Sequence, residues 1–214
     1  MPLPSRTLRR IAATTFWTTG LTIFINDYLL EITPITGRSM SPTISPDYHT
    51  TGAKDTIAWR KHQPASADLR RGDVVLYHTP LRAEGSAVKR VIALGGDTVV
   101  LDPRRRPGRD EDGESLPGER TVARNWDAMA PRVTVPYGHV WVEGDNWRCS
   151  QDSNFFGPVS RSLIVGRAVG VVWPVGRWGR PWEEVDWEER SGTRVIRGRE
   201  VVPTEWEELV GAGF

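Results

Sequence analysis

From Thr36 onward, the apolar residues of this chain come in short runs, and turn-forming residues separate one run from the next. Runs of four to eight residues are typical of β-strands, whereas a helix needs a longer amphipathic repeat. We find no such repeat between Gly37 and Trp178. The sequence therefore predicts a mainly β fold, with strands within these segments: 55–60, 73–78, 87–94, 97–101, 132–144 and 163–176.

The N-terminal segment has a different character. Three arginines and no acid occur in residues 1–10, and the run from Ile11 to Asn26 has no charged residue. At 1.5 Å per residue, such a run spans roughly 24 Å as a helix, so crossing a hydrocarbon core of ~30 Å requires extension to Ile35. A secretory signal would need a small-residue cleavage site, and a buried helix would show a clearer polar face. We predict a transmembrane anchor and targeting segment over 11–35.

Composition limits the remaining possibilities. The chain has 214 residues, and its 28 basic residues nearly balance its 27 acidic ones, so no charge excess indicates a nucleic-acid partner. The single cysteine, Cys149, excludes an intrachain disulfide, and four scattered histidines give no metal-ligand spacing. We divide the chain into a basic tail (1–10), the anchor, a β domain (36–182) with a mobile charged insertion (102–120), and an acidic tail (183–214).

Two segments of the β domain carry side chains that could perform chemistry together. Residues 37–43 read Gly-Arg-Ser-Met-Ser-Pro-Thr, which fits an ordinary turn or a loop presenting Ser39 as a nucleophile. Lys89 lies in an apolar strand-like run, on the face shared by Val91 and Ala93. A lysine in a strand often protects a sheet edge, but a desolvated lysine is driven toward its neutral form and can take a proton from a hydroxyl.

Three further clusters favour the chemical interpretation when taken in order: Arg71-Gly72-Asp73, Gly95-Gly96-Asp97, and Gly144-Asp145-Asn146 followed by Ser150 and Asp152-Ser153-Asn154. Each alone is turn chemistry. Together with the serine and lysine segments they resemble the type I signal peptidase family, which are membrane-bound Ser/Lys proteases. The resemblance extends from the anchor to about Trp178, and it implies a signal-peptidase-like antiparallel β domain behind one N-terminal transmembrane helix.

The resemblance also implies roles for individual residues. Ser39 would attack the scissile carbonyl and its backbone N–H would bind the oxyanion, while Lys89 would act as general base. Ser150 would orient the lysine amine. Asp152 and Arg90 would support the site structurally. Met40 would line the substrate floor, although it could equally be ordinary core. No cofactor is implied, because a serine and a lysine suffice for acyl transfer.

Within the family, the Asn154 of the last cluster and the single anchor favour the branch of mitochondrial inner membrane proteases, and within it the second catalytic subunit. This implies a serine endopeptidase that removes hydrophobic sorting sequences from precursors delivered to the intermembrane space. The catalytic domain would face that space from a single-pass anchor in the inner membrane lipid. The implied partners are these precursors and a sister catalytic subunit, with no nucleic acid.

Two positions depart from the family pattern. Many bacterial members carry a serine at the position of Gly37, where it adds an oxyanion donor, and an arginine at the position of Asn154. Two alternatives therefore stay open. One is a membrane-anchored assembly subunit whose site has decayed. The other is a self-cleaving Ser/Lys regulator, although this chain has an apolar segment where such proteins carry a DNA-binding head.

Overall fold

A computed structural model describes residues 5–24, 29–61, 68–80, 85–102, 105, 132–186 and 194–198. Its one long helix within these residues is α1 (Ser5–Phe24), and a single-turn helix, α2 (Ser153–Phe156), lies near the end of the β region. The strands of the described residues are β1 (Leu30–Pro34), β2 (Thr56–Arg60), β3 (Val74–His78), β4 (Ser86–Leu94), β5 (Thr98–Val100), β6 (Arg132–Thr134), β7 (His139–Glu143), β8 (Val159–Ser160), β9 (Ile164–Trp173) and β10 (Arg194–Ile196).

The strands form two antiparallel sheets. Seven of them follow the order β1-β2-β9-β3-β4-β7-β8, and three follow the order β10-β5-β6. The mainly β prediction is confirmed. The strand predicted over 132–144 is two strands in different sheets, because a turn at Pro136, closed by the bond from His139 N to Pro136 O at 3.1 Å, separates β6 from β7.

The predicted segment 11–35 is wrong at its C-terminal end. Residues Leu30–Pro34 form β1, which pairs with β2 from Leu30 opposite Arg60 to Pro34 opposite Thr56. Helix α1 also begins at Ser5, so the predicted basic tail belongs largely to the helix. Alternation of exposure along β1 reflects a sheet edge rather than a helical face.

Helix α1 exposes apolar side chains without packing them against the β domain. Phe16 is 71% exposed and Trp17 is 72% exposed. The hydroxyls of Thr14, Thr18 and Thr22 donate to carbonyls one turn earlier, at 2.9 Å each, which satisfies their hydrogen-bonding capacity within the helix. Among the residues described, no helix combines the length and the apolarity needed to cross a membrane.

Both faces of the large sheet are covered, which explains why its central strands are almost continuously apolar. One core contains Met40, Ile44 and Trp59, and the core on the other side contains Tyr77 and Val142. A third core joins the small sheet to β4 and β7 through Ile92, Ala93, Val99, Leu101, Val135 and Trp141. Six consecutive residues of β4, Val88 to Ala93, are buried as a result.

Strand β4 lies between β3 and β7, so the sheet-edge explanation of its lysine does not apply. Lys89 pairs with Val75 of β3. The register with β7 shifts between Val91 and Ala93, so strict alternation ends there. Because of this shift, the prediction that Ala93 shares the Lys89 face is wrong. Ala93 packs with Ile92 in the third core instead.

Candidate active site

The loop that carries Ser39 is held at both ends by buried contacts. Ile35 N donates to Asp55 O at 2.8 Å, and Ser45 N donates to the Asp55 carboxylate at 2.7 Å. Arg177 in turn donates Nε to that carboxylate at 2.9 Å and Nη2 to the carbonyl of Thr43 at 2.8 Å. Asp55 is 2% exposed, so this ion pair fixes the loop against β2 from inside the fold.

Ser39 and Lys89, fifty residues apart in sequence, meet at the end of the large sheet. The Lys89 Nζ lies 2.7 Å from the Ser39 Oγ. Lys89 is only 4% exposed, whereas Ser39 is partly open to solvent. A hydroxyl accessible from solvent therefore contacts an amine held inside the protein, as the sequence pattern predicts for this pair.

The environment of Lys89 favours its neutral form. Burial lowers the pKa of the Lys89 amine below its ordinary 10.5, because an ammonium loses its hydration inside the protein. The nearby carboxylates of Asp152 and Asp145 raise the pKa in the opposite direction, but burial has the larger effect. In its neutral form the amine has a lone pair for a hydroxyl proton, which an ammonium lacks.

Arg90, the neighbour of Lys89 on β4, holds the turn after β7 in place. Its guanidinium binds the Asp145 carboxylate in a two-bond arrangement, at 2.8 and 2.6 Å, with the two side chains 1% and 5% exposed. It also donates to the carbonyls of Gly72 and Trp182. The turn then reaches the nucleophile loop through a bond from Asn146 N to Ser39 O at 2.9 Å.

Asp152 organises the segment between β7 and α2. Its carboxylate accepts hydrogen bonds from the backbone N–H of Gly144 at 3.0 Å and of Asn154 at 3.1 Å, and from the Ser150 hydroxyl at 2.6 Å. The Asp152 side chain is thereby the N-cap of α2, since it accepts from the backbone N–H of Asn154, the second residue of that helix. Asp152 is 3% exposed and thus connects the turn, the serine and the helix from a buried position.

The hydroxyl of Ser150 is engaged by Asp152 rather than by the lysine that the resemblance assigns to it. Among the described residues, Ser150 and Lys89 share no hydrogen bond. The Ser150 side chain nevertheless lies close to the Ser39 backbone, because a Cβ placed on Gly144 would come within 2.5 Å of Ser39 O and 2.4 Å of Ser150 Oγ. Gly144 therefore permits this close approach of the two serines.

Met40 lies in the core rather than on an open surface. It is 2% exposed and packs in the cluster with Ile44 and Trp59. A side chain with so little accessible surface offers a substrate almost no contact area, which favours the core alternative for this residue.

The backbone around Ser39 leaves donors available. Within the described part of the chain, neither Ser39 N nor Met40 N has an acceptor. Gly37 adopts a φ of +98°, a conformation that side-chain-bearing residues rarely take, and open space surrounds the position of a Cβ there. The backbone therefore fits glycine at this position, and a hydroxyl donor from a side chain at 37 is absent.

Arg105, which lies in the predicted mobile charged insertion over 102–120, is buried rather than solvated. Its side chain is 3% exposed and its Nη1 donates to Glu143 Oε2 at 2.6 Å. Asp102 and Arg105 are described, and the remainder of that predicted insertion lies outside the described residues. Most of the predicted acidic tail, 187–193 and 199–214, lies outside them as well.

A comparison with known families now gives this geometry a context. The sequence pattern described as "Signal peptidase, peptidase S26" matches residues 8–173, well over half of the chain. The chain belongs to the signal peptidase family. The family resemblance predicted from the serine and lysine segments is confirmed, and the match covers Ser39, Lys89, Ser150 and Asp152.

Two inner membrane protease subunits agree with this membership in the signal peptidase family. The mitochondrial inner membrane protease subunit 2 of Saccharomyces cerevisiae is 32% identical over 174 residues, covering 81% of this chain and 85% of the yeast protein. The mitochondrial ATP-independent inner membrane protease subunit 1a of Arabidopsis thaliana is 34% identical over 152 residues, covering 71% and 76%. A signal peptidase I of Enterococcus faecalis V583, solved by crystallography, shares 26% identity at a TM-score of 0.31, covering 46% of this chain and 95% of that one.

Sequence reasoning missed several residues that shape the site of this signal peptidase family member. Asp55, Arg177, Glu143 and Arg105 are not singled out by any motif, because each has the appearance of an ordinary charged residue beside a turn. A carboxylate at the very end of an apolar run, as in Glu143, is a usable signal. Such a residue is buried together with its strand and then needs a partner.

Proposed function

We propose that this chain is a serine endopeptidase that removes hydrophobic sorting sequences from precursor proteins, with Ser39 as nucleophile and Lys89 as general base. The observation that carries the proposal is the 2.7 Å contact between the Ser39 hydroxyl and a buried lysine amine whose pKa is lowered. An activated hydroxyl at the mouth of a water-excluding site is the arrangement that acyl transfer from a peptide requires.

The reaction follows from these two groups. Ser39 Oγ forms a bond to the scissile carbonyl carbon as its proton passes to Lys89 Nζ, and the Ser39 N–H donates to the developing oxyanion. The carbon–nitrogen bond then breaks, and Lys89 returns the proton to the leaving amine. A water molecule then attacks the carbonyl carbon of the acyl-serine ester as Lys89 takes its proton, the bond from that carbon to Ser39 Oγ breaks, and Lys89 returns the proton to Ser39 Oγ. Gly37 contributes no hydroxyl to the oxyanion, so the second donor comes from backbone or water.

The names of the relatives suggest where this reaction takes place. We infer that the protein acts at the mitochondrial inner membrane, with its β domain on the intermembrane-space side, since the relatives are named as subunits of an inner membrane protease. The same names suggest a sister catalytic subunit as partner. The substrates in this proposal are precursors whose presequence ends in a hydrophobic sorting segment.

The test of this function is direct. The purified full chain, alone and mixed with a sister subunit, is incubated with a labelled presequence peptide, and the products are mapped by mass spectrometry. We expect one cut after the hydrophobic segment, and no cut in a scrambled peptide of the same composition. Absence of any product under both conditions would favour the assembly-subunit alternative and overturn the proposal.

Membrane attachment through α1 is the second part of the proposal. The helix has 20 residues, begins with three arginines and then exposes a side of apolar residues, among them Phe16, Trp17 and Leu21. The uncharged part of α1, residues 11–24, extends about 21 Å as a helix, so this proposal requires the arginines at its start to reach the headgroup region if α1 is to cross a ~30 Å hydrocarbon core. Because the hydroxyls of Thr14, Thr18 and Thr22 already bond to carbonyls of α1, their transfer into lipid costs less than the composition indicates.

Carbonate extraction separates a spanning helix from a peripheral one. We expect the full chain to stay in the membrane pellet after extraction at high pH, and a Trp17→Lys/Leu21→Lys variant to move into the supernatant. The variant places two charges in the uncharged run, at about 2.5–3.5 kcal/mol each near a bilayer centre. Wild-type protein in the supernatant would contradict the anchor.

A further inference from the structure

Two buried carboxylates share one amide group behind the Ser39–Lys89 pair. Asn154 Nδ2 donates to Asp152 Oδ1 at 3.0 Å and to Glu143 Oε1 at 3.1 Å. Both N–H bonds of the amide therefore point at carboxylate oxygens. The opposite orientation would place the amide oxygen against two anions, so chemistry fixes the assignment of nitrogen and oxygen.

This arrangement brings like charges together inside the protein. Glu143 is 1% exposed and Asp152 is 3% exposed, so water screens neither of them. Asn154 has no charge and thus links the carboxylates without compensating for them. A nearby cation stabilises two buried carboxylates that contact the same side chain.

Arg105 supplies that cation from a distant part of the sequence. Its Nη1 lies 2.6 Å from Glu143 Oε2, and the two side chains are 3% and 1% exposed. Its guanidinium also lies 5.9 Å from the ring centre of Trp147, in the segment between β7 and Ser150. A turn fixes the approach of Arg105, because its N–H donates to Asp102 O at 3.0 Å just after the buried Leu101.

We propose that Arg105 is a positioning residue of the proposed protease, which neutralises Glu143 and thereby holds Asn154 and Asp152 in place behind the Ser39–Lys89 pair. Among the described residues, Arg105 makes no hydrogen bond or ion pair with Ser39 or Lys89, so it acts through these intermediates. The inference rests on the proposed function, because the effect of Arg105 is on a proton-accepting lysine.

The charge of Arg105 has a second, measurable consequence. The titratable and charged side chains of the elements around Lys89 are Tyr77 and His78 on β3, Arg90 on β4, His139 and Glu143 on β7, Arg38 beside Ser39, and Asp145, Arg148 and Asp152 after β7. Burial raises the pKa of Tyr77 well above its usual range, so its hydroxyl stays neutral. The set contains three carboxylates, and Arg105 joins Arg90 as a second buried guanidinium that opposes them.

Removing one guanidinium leaves an extra negative charge, and a negative charge stabilises the protonated form of Lys89. Its pKa then rises, and a higher pH is needed to obtain the neutral base. For a unit charge that does not touch Lys89, in a partly screened interior, the expected shift is about half to one pH unit. A purely structural role of Arg105 would lower activity at every pH and leave the acidic limb of the pH profile in place.

The experiment is the pH profile of kcat/KM for presequence cleavage by the full chain, which reports groups of the free enzyme. We expect Arg105→Gln to move the acidic limb upward by about half to one unit. Arg105→Lys keeps the charge and should leave the limb near the wild-type position. Arg132→Gln, at an exposed position that starts β6, is the matched control and should change nothing.

A second variant protects the test against misfolding. Arg105→Gln/Glu143→Gln removes both charges and keeps an amide oxygen for Asn154 and for Trp141 Nε1, which donates to Glu143 at 2.9 Å. The acidic limb of the pH profile of this double variant should return to the wild-type position. An unshifted limb in Arg105→Gln, or a shifted limb in the double variant, would overturn the inference and leave the proposed function intact. A wild-type chain that cleaves nothing would overturn both.

Discussion

Replacement of Lys89 by methionine is expected to reduce presequence cleavage by about 10³-fold or more, because it removes the group that takes the Ser39 proton. Ser39→Ala should reduce cleavage to a similar extent. Ser41→Ala is the matched control, since Ser41 lies two residues further along the same loop and its hydroxyl has no role in the proposed reaction. Cleavage is measured by mass spectrometry over a time course.

Lys89→Met should also leave the protein at least as stable as the wild type. Methionine is similar in length and has no charge to desolvate at a position that is 4% exposed. Between the lowered pKa of folded Lys89 and the ordinary 10.5, the unfolded chain binds a proton that the folded chain does not. The free energy of unfolding of the wild type therefore decreases as the pH falls through that range. The difference in stability in favour of Lys89→Met should grow accordingly.

Urea denaturation at several pH values measures this effect, with cleavage followed in parallel. Loss of activity together with loss of folding in Lys89→Met would mean that the lysine is structural. Retention of cleavage by Lys89→Met would contradict its assignment as the base, whatever the stability. A stability advantage over wild type that is the same at pH 10 as at pH 7 would contradict the buried neutral amine.

Arg90→Met is expected to lower the free energy of unfolding by about 3–5 kcal/mol, the usual cost of leaving one member of a buried ion pair alone. The stranded group is Asp145, whose side chain is 5% exposed. The carbonyls of Gly72 and Trp182 also lose a donor. Such a loss is a large fraction of the stability of a typical domain.

The double variant Arg90→Met/Asp145→Leu tests the cause of that loss. If the isolated carboxylate is responsible, removing it as well should recover much of the stability, because a buried pair replaced by apolar residues is often close to neutral. Arg60→Met, at an exposed position on β2, should change stability by less than about 0.5 kcal/mol. Equal losses in the single and double variants would show that the hydrogen bonds to carbonyls matter more than the ion pair.

Loss of the Arg90–Asp145 pair is also expected to affect function, because this pair supports the turn that binds the nucleophile loop. Asp145 is followed by Asn146, whose N–H donates to the Ser39 carbonyl at 2.9 Å. The carbonyl end of Ser39 is thus fixed through Arg90, while its hydroxyl contacts Lys89. Lys89 and Arg90 are adjacent on β4, so their side chains point to opposite faces of the sheet. Lys89 contacts the hydroxyl of Ser39, and Arg90 supports the turn that binds its carbonyl.

Much of this arrangement was accessible from the sequence. Short apolar runs predicted most of the strands, since alternation and turn residues are local properties of the chain. The proximity of Ser39 and Lys89 was implied by the resemblance to type I signal peptidases that a small-residue turn, a lysine in an apolar run and three further clusters show together. Strand β1 escaped prediction because Leu30–Pro34 continues an apolar stretch that is equally compatible with a helix.

The sequence by itself determined the mainly β class, the pairing of a serine with a strand lysine, and the family. Only the tertiary structure decided which charges enter the interior. Arg105 and Glu143 are 38 positions apart, and no local pattern distinguishes them from solvated residues. Their burial depends on how β5 and β7 pack around a shared core, and a long-range contact of this kind leaves no periodic signal in the chain.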